Sequence, residues 1–129
     1  MAVARVEVGL VSADDALATF YATVFELEQL PVIKSETGVV HRLQAPGTAI
    51  KVMVPVQPPA AADPPSLFVG ATGIQYLTLY VDDLDKILAC VPDAGGHLLQ
   101  GPLTFGPGIR VAVFRDPDGN AFEVVEGAS

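Results

Sequence analysis

Residues 114–123 read FRDPDGNAFE, and two further apolar residues, VV, follow at 124–125. The sequence Asp-Pro-Asp-Gly is typical of a tight turn, because proline presets φ at the second position and glycine accepts a positive φ near the end. Apolar residues on both sides of the turn predict the two strands of a hairpin. The carboxylate of Glu123 would then lie inside an apolar strand, where a charged side chain needs an explanation.

The same pattern occurs a second time in the chain. Residues 47–54, GTAIKVMV, align with residues 119–126, GNAFEVVE, and residues 7–14, EVGLVSAD, align with residues 76–83, YLTLYVDD. Each half predicts a strand, a helix with an aspartate near its start, and three more strands. An internal repeat changes the predicted fold, because one such unit cannot bury both faces of its own sheet.

The proposed repeats span residues 3–55 and 73–126, and a proline-rich segment, 56–72, lies between them. Proline at this density excludes a strand ladder or a helix interior, so the segment is predicted to be a surface linker. The chain has 129 residues, of which 50% are hydrophobic, and this suits a single domain over residues 1–129 with a substantial core.

Charge and composition exclude several classes of function. Seven basic and fifteen acidic residues give a net charge of −8, which argues against nucleic acid and anionic membranes as partners. No apolar run has the length of a membrane span and the start of the chain lacks signal-peptide features, so the predicted location is the cytoplasm. The single cysteine, Cys90, excludes an internal disulfide and a thiolate-rich zinc site.

Alternation along the strands predicts which side chains face the helices. In each repeat the more apolar set packs under the helix, and the opposite set is mixed in character. That opposite set contains Glu7, Gly9, Val11, Lys51, Met53, Tyr76, Thr78, Tyr80, Glu123 and Val125. Alignment of the repeats pairs His41 with Val113 and adds both to the set, although Val40 and Arg42 beside His41 do not make a clean apolar face.

Two interpretations of this face are open. It can be an ordinary solvent-exposed face of an antiparallel sheet, with Glu and Lys as surface charges. It can also line a ligand pocket, because aromatic and aliphatic side chains occur there together with a few ionisable groups. Under the second interpretation, four residues point into one shared concavity: Glu7, Lys51, Tyr76 and Glu123.

Several features of the sequence resemble the vicinal oxygen chelate superfamily. They are the repeated unit, VDDLD after a strand, AGG after a helix and above all FRDPDGNAFEVVE. The superfamily includes glyoxalase I, bleomycin-resistance proteins and extradiol dioxygenases, and the resemblance covers about residues 3–126. It implies an α+β fold, in which two βαβββ repeats form a cupped eight-stranded mixed sheet with helices on the outer face. It also implies a homodimer, commonly completed by swapped units.

Enzymes of this superfamily usually hold a divalent metal in the cup. The resemblance places the four ligand positions on Glu7, Lys51, Tyr76 and Glu123, and only Glu123 keeps the usual residue type. Lysine ligates only when deprotonated and tyrosine only as phenolate, so we expect no resident metal and no other cofactor. A second interpretation retains a metal on an unusual triad of Glu7, His41 and Glu123.

The predicted function is binding of a small, partly apolar molecule in a metal-free cup of the glyoxalase or bleomycin-resistance type. Glu7 and Glu123 are candidate acid–base catalysts, with Lys51 paired to one of them. The alternative is a metal-dependent lyase, isomerase or dioxygenase with an atypical ligand set. The candidate substrate-binding residues are His41, Lys51, Met53, Tyr76, Thr78, Tyr80 and Val113.

Overall fold

The computed structural model describes residues 2–127, and the chain divides into unit 1, up to Ala61, and unit 2, from Ala62 onward. Unit 1 contains β1 (Val8–Val11), α1 (Ala16–Val24), β2 (Glu28–Gln29), β3 (Ile33–Ser35), β4 (Gly38–Ala45) and β5 (Thr48–Pro55). Unit 2 contains β6 (Tyr76–Val81), α2 (Leu84–Asp93), β7 (His97–Thr104), β8 (Arg110–Arg115) and β9 (Ala121–Glu126). That the two units make a single domain stays a prediction.

Each unit has its own mixed sheet. The sheet of unit 1 has the order β1-β5-β4-β2, with β3 also paired to β4, and the sheet of unit 2 has the order β6-β9-β8-β7. The first strand of each unit runs parallel to the last one, and the remaining pairs are antiparallel. The predicted α+β class with repeated βαβββ units is confirmed. The short strand β2 is an addition that the sequence did not predict.

Helix α1 covers one face of the sheet of unit 1. Leu17, Phe20 and Val24 recur at helical spacing and are buried where α1 contacts β4 and β5. Leu43, Ile50 and Val52 are buried strand residues on that side. This packing buries the apolar side of α1 and leaves the other face of the sheet without a helix. No helix among residues 2–127 is long and apolar enough to cross a membrane.

The N-terminus of helix α2 is tied to the sheet of unit 2 by hydrogen bonds. The backbone N–H of Leu84 donates to Oε1 of Glu126 at 2.8 Å. Arg110 on β8 donates to Oδ1 of Asp85 at 3.1 Å and to Oε2 of Glu126 at 3.5 Å. The hydrogen bond to Asp85, together with the charges of both carboxylates, raises the pKa of Arg110 above its ordinary value. These contacts hold α2 against the face of the sheet on which the Glu126 side chain lies.

The carboxylate of Asp116 organises the loop between β8 and β9, and this residue is only 2% exposed. Its Oδ1 accepts hydrogen bonds from the backbone N–H groups of Asp118 and Asn120, each at 3.0 Å. Its Oδ2 accepts one from the side chain of Asn120 at 3.0 Å. Gly119 has a φ of +91°, a conformation that a side chain would disfavour. The Asp-Pro-Asp-Gly sequence is thus a turn, as the sequence indicates.

The length of this loop sets the register of β9. Arg115 lies opposite Ala121, and Val113 lies opposite Glu123. Because side chains alternate between faces, a shift of one residue would turn Glu123 toward the helix. The turn therefore determines the side of the sheet on which this carboxylate lies.

Arg115 ties the proline-rich segment to the same loop. Its buried guanidinium donates to the backbone carbonyl of Gly119 at 2.9 Å and to that of Pro65 at 2.6 Å. A further contact reaches the carbonyl of Ser66 at 3.5 Å. The part of the predicted linker that belongs to unit 2 is therefore anchored to strand β8 of the same unit through a charged side chain.

Asp116→Ala is expected to lower the free energy of unfolding by about 2–3 kcal/mol, because two backbone N–H groups and the side-chain amide of Asn120 lose a charged acceptor that is itself buried. Asp118→Ala is the matched control, since Asp118 is exposed in the same loop, and a change within about 0.5 kcal/mol is expected. Urea unfolding followed by circular dichroism measures both values. Equal effects of the two substitutions would show that the Asp116 carboxylate does not hold the loop.

Candidate functional site

Each sheet has one face without a helix, called here the helix-free face. In unit 1 the register and ion pairs assign to it Glu7, Gly9, Val11, Val40, Arg42, Lys51 and Met53. In unit 2 the register assigns Tyr76, Thr78, Tyr80, Val113, Glu123 and Val125. Val113 and Val125 are buried, and the others are at least partly exposed. All the site residues predicted from the sequence lie on these two faces except His41.

The prediction that places His41 on this face is wrong. His41 lies opposite a core residue of β5, on the helix side, and its neighbour Arg42 lies opposite Lys51. The first hairpin is one residue shorter between Arg42 and Lys51 than the second is between Val113 and Glu123. A difference of one residue moves a side chain to the opposite face, so the equivalent of Val113 is Arg42.

Glu7 is the centre of an ionic cluster on the helix-free face of unit 1. Its Oε2 lies 2.6 Å from Nη2 of Arg5 and 3.8 Å from Nη2 of Arg42, and its Oε1 lies 3.8 Å from Nζ of Lys51. The Glu7 side chain is 16% exposed. Its Oε2 is shielded from solvent and accepts no well-aligned hydrogen bond, in spite of the short distance to Arg5. Glu7 therefore serves as counter-ion to three cations.

The segment before β1 positions Glu7. The hydroxyl of Thr48, on β5, donates a hydrogen bond to the backbone carbonyl of Val6. Val8, directly after Glu7, pairs with Ile50 in the parallel ladder between β1 and β5. The backbone on both sides of Glu7 is thus held by contacts to β5, the strand that also carries Lys51.

Sequence reasoning missed Arg42 and Arg5 as members of this cluster. A signal was present for Arg42, because the face predicted for it would bury a guanidinium among the apolar residues under α1. No comparable signal exists for Arg5, which precedes the first strand and reaches Glu7 through its own side chain.

The helix-free face of unit 2 combines one carboxylate with hydroxyl and aromatic groups. Thr78 lies opposite Glu123, and its hydroxyl donates to Oε1 of Glu123 at 3.0 Å. Tyr76 and Tyr80 flank Thr78 on the same face of β6. Phe68 packs edge-on against Tyr76, with ring centroids 5.3 Å apart. This face offers aromatic surface and one hydrogen-bonded anionic group.

The residues present do not fit the divalent metal that the family resemblance implies. Three cations surround Glu7 and would repel a metal ion. His41 and Glu7 lie on opposite sides of the sheet of unit 1, so the triad of Glu7, His41 and Glu123 does not assemble. Within residues 2–127, no three His, Cys, Asp or Glu residues group so that they can hold a metal.

Unit 2 also contains a cleft of about 350 Å³ between the proline-rich segment and the β8–β9 loop. Its lining includes Asp63, Ile74, Arg115 and Asn120, and none of the site residues predicted from the sequence. The guanidinium of Arg115 is already engaged by backbone carbonyls there. Arg115, the cationic residue that lines this cleft, thus has a structural role.

A family model described as the glyoxalase/bleomycin resistance protein/dioxygenase superfamily matches residues 9–124. The chain belongs to this superfamily. The match covers most of both units and confirms the resemblance drawn from the sequence motifs. No curated protein sequence matches the chain.

Solved structures share the fold of this superfamily member at low sequence identity. A glyoxalase family protein from Bacillus cereus is 18% identical, with a TM-score of 0.84, and the match covers 100% of this chain and 99% of that one. An antibiotic-binding protein from Streptomyces sp. CB03234 is 23% identical, with a TM-score of 0.68 and 99% of each chain covered. TioX from Micromonospora sp. ML1 is 19% identical, with a TM-score of 0.69, over 98% of this chain and 100% of that one.

Glu7→Gln is expected to lower the free energy of unfolding by about 1 kcal/mol at low salt, because three cations lose their common counter-ion. The loss should shrink in about 0.5 M NaCl, where screening weakens the repulsion that remains. Urea titrations at both salt concentrations measure the effect. Glu36→Gln is the control, since Glu36 is exposed in the turn between β3 and β4, and a salt-independent loss equal to that of the control would contradict a role for the cluster.

Proposed function

We propose that this chain binds a small, partly apolar molecule on its helix-free faces and does so without a resident metal. The main support is the exposure of apolar side chains beside ionisable ones. Tyr80 is 63% exposed and Val11 is 58% exposed, and they share their faces with Glu123 and Lys51 respectively. Exposed apolar surface next to a few charged groups is typical of a surface that a ligand covers.

Membership in the superfamily supports the same proposal. The superfamily includes bleomycin-resistance proteins, and the similar Streptomyces structure is that of an antibiotic-binding protein. Such proteins need no catalytic residues to perform their function. We therefore place this chain with the binding proteins of the superfamily, with an amphipathic small molecule as its ligand.

A second candidate function is acid–base catalysis, as a lyase or isomerase that needs no metal. The sequence predicts Glu7 and Glu123 as the pair, and the contacts favour Glu123. Glu7 is engaged with three cations, whereas Thr78 is the only described residue that hydrogen-bonds to the Glu123 carboxylate. Glu123 is thus the better candidate to exchange a proton with a ligand. Catalysis, a homodimer, a cytoplasmic location and one concavity shared by Glu7, Lys51, Tyr76 and Glu123 stay predictions.

Titration with the neutral fluorescent probe phenylnaphthylamine is expected to show saturable binding. Tyr80→Ser and Met53→Ser, one substitution in each unit, should each weaken binding to the helix-free face of its own unit about fivefold, because each removes roughly 1 kcal/mol of apolar contact. Glu123→Gln should leave this binding within about twofold, since it keeps the size of the side chain and the probe carries no charge.

Two control variants test where the probe binds. Phe105→Ser removes another exposed aromatic side chain, from the loop between β7 and β8, and Ala71→Trp narrows the cleft of unit 2. Neither should change the affinity. If either variant weakens binding as much as Tyr80→Ser does, the helix-free faces are not the binding surface.

Elemental analysis of the purified protein is expected to find well below one equivalent of any divalent metal, because cations surround Glu7 and His41 lies on the other side of the sheet. Addition of Zn²⁺ or Mn²⁺ should leave the thermal unfolding midpoint unchanged. One equivalent of Fe, Mn, Zn or Ni that is lost in Glu123→Ala would overturn the metal-free proposal and favour the metal-dependent alternative.

A further inference from the structure

The helix-free face of unit 1 carries a local excess of positive charge in an acidic chain. The chain has seven basic residues and a net charge of −8, and three of those seven surround Glu7: Arg5, Arg42 and Lys51. One carboxylate among three cations leaves an excess of two positive charges. Clusters of this kind raise the local concentration of anions.

Two of these cations have hydrogen-bond donors that no described residue uses. Arg42 and Lys51 each lie 3.8 Å from Glu7, which is beyond hydrogen-bond distance. Their side chains are 25% and 42% exposed, so both reach solvent. A guanidinium has five N–H donors and an ammonium has three, and these are free to bind an acceptor on a ligand. In Arg115, by contrast, backbone carbonyls engage the guanidinium.

The charged groups lie beside an apolar row on the same face. We use the word rung for residues that lie side by side across adjacent strands. One rung is Gly9, Lys51 and Arg42, and the next rung on the same face is Val11, Met53 and Val40. The two rungs are two residues apart along the strands, which corresponds to about 7 Å.

Gly9 leaves open space beside Lys51. A Cβ atom placed at Gly9 would meet no atom within 4 Å. The strand therefore does not need glycine there to avoid a clash, and the missing side chain leaves the surface next to the ammonium group free. A ligand atom can approach the cationic rung from this side.

We infer that the helix-free face of unit 1 binds the anionic group of an amphipathic organic acid, such as a carboxylate or a sulfonate. The anion contacts Arg42 and Lys51, and its hydrocarbon part covers the rung of Val11, Met53 and Val40. Glu7 acts as a positioning residue that holds the two cations on this face. This inference rests on the proposed function and adds the chemical class of the ligand.

A pair of fluorescent probes that differ by one charged group tests the inference. Anilinonaphthalene sulfonate carries a sulfonate on the aromatic framework that phenylnaphthylamine presents without charge. The wild-type protein is expected to bind the sulfonate about tenfold more tightly than the neutral probe, since hydrogen bonds to charged groups contribute at least that factor. Added NaCl should weaken the binding of the sulfonate probe and leave the binding of the neutral probe unchanged.

Lys51→Met and Arg42→Met should each weaken sulfonate binding about tenfold and leave neutral-probe binding within about twofold. Lys34→Met is the matched control, because Lys34 lies on β3 and pairs with Val39, which belongs to the other face, and no change is expected. Gly9→Leu should weaken both probes, because its side chain fills the open space. Circular dichroism and urea unfolding of each variant check that the fold is kept.

The outcomes separate this inference from the proposed function. If neither probe binds, the proposed function fails, and the inference fails with it. If both probes bind equally, and Lys51→Met behaves like Lys34→Met, the inference is overturned while the proposed function stands. The inference is also overturned if a variant that lacks both Lys51 and Arg42 still binds the sulfonate probe more tightly than the neutral probe.

Discussion

The chemistry of this chain depends on which face of each sheet its helix covers. Side chains alternate along a strand, so burial of Val52 and Phe122 under the helices turns Lys51 and Glu123 to the opposite face. A slip of one residue in either sheet would bury a charged group and expose an apolar one. Since burial of an unpaired charge costs several kcal/mol, the apolar core and the charged face enforce the same register.

The parts of the fold that follow from local patterns were predictable, and the parts that depend on loop length were not. Strand β6 alternates between exposed and half-buried residues, so Tyr76 was assigned to the correct face from its neighbours alone. Glu123 was assigned through the apolar residues Phe122 and Val124 on either side of it. Strand β4, GVVHRLQA, has no clean alternation, and its face depends on how many residues the following turn contains. Because the first hairpin is one residue shorter than the second, His41 lies on the helix side and Arg42 on the helix-free face, the reverse of the prediction. Contacts between distant residues, such as Arg115 to Pro65, leave no periodic pattern in the sequence at all.

Two ion clusters that contain arginine differ in their ratio of cations to carboxylates, and this ratio indicates which cluster is structural and which can bind a ligand. Arg110 lies between two carboxylates, so its charge is fully matched and its contacts serve to fix helix α2. Around Glu7 the ratio is reversed, with three cations to one carboxylate. Arg42 and Lys51 remain partly hydrated, which avoids the full desolvation cost of a buried charge. A cation that is partly hydrated and not fully neutralised is stable in the free protein, and it can still form favourable hydrogen bonds with a bound anion.

The two repeats have opposite charges at the same place in the sheet. The equivalent rungs are Gly9, Lys51 and Arg42 in unit 1 and Thr78, Glu123 and Val113 in unit 2. The superfamily resemblance assigns a metal ligand to Lys51 and to Glu123, and only the carboxylate of unit 2 keeps that chemistry. In unit 1 the positive charge at this position comes from a lysine side chain of the protein and not from a metal ion. An ammonium or guanidinium group holds an oxyanion through hydrogen bonds, but it has no vacant orbital to accept a lone pair, as a Lewis-acidic metal does. Replacement of a metal ligand by lysine therefore favours binding of an anionic ligand over metal-assisted cleavage of its bonds.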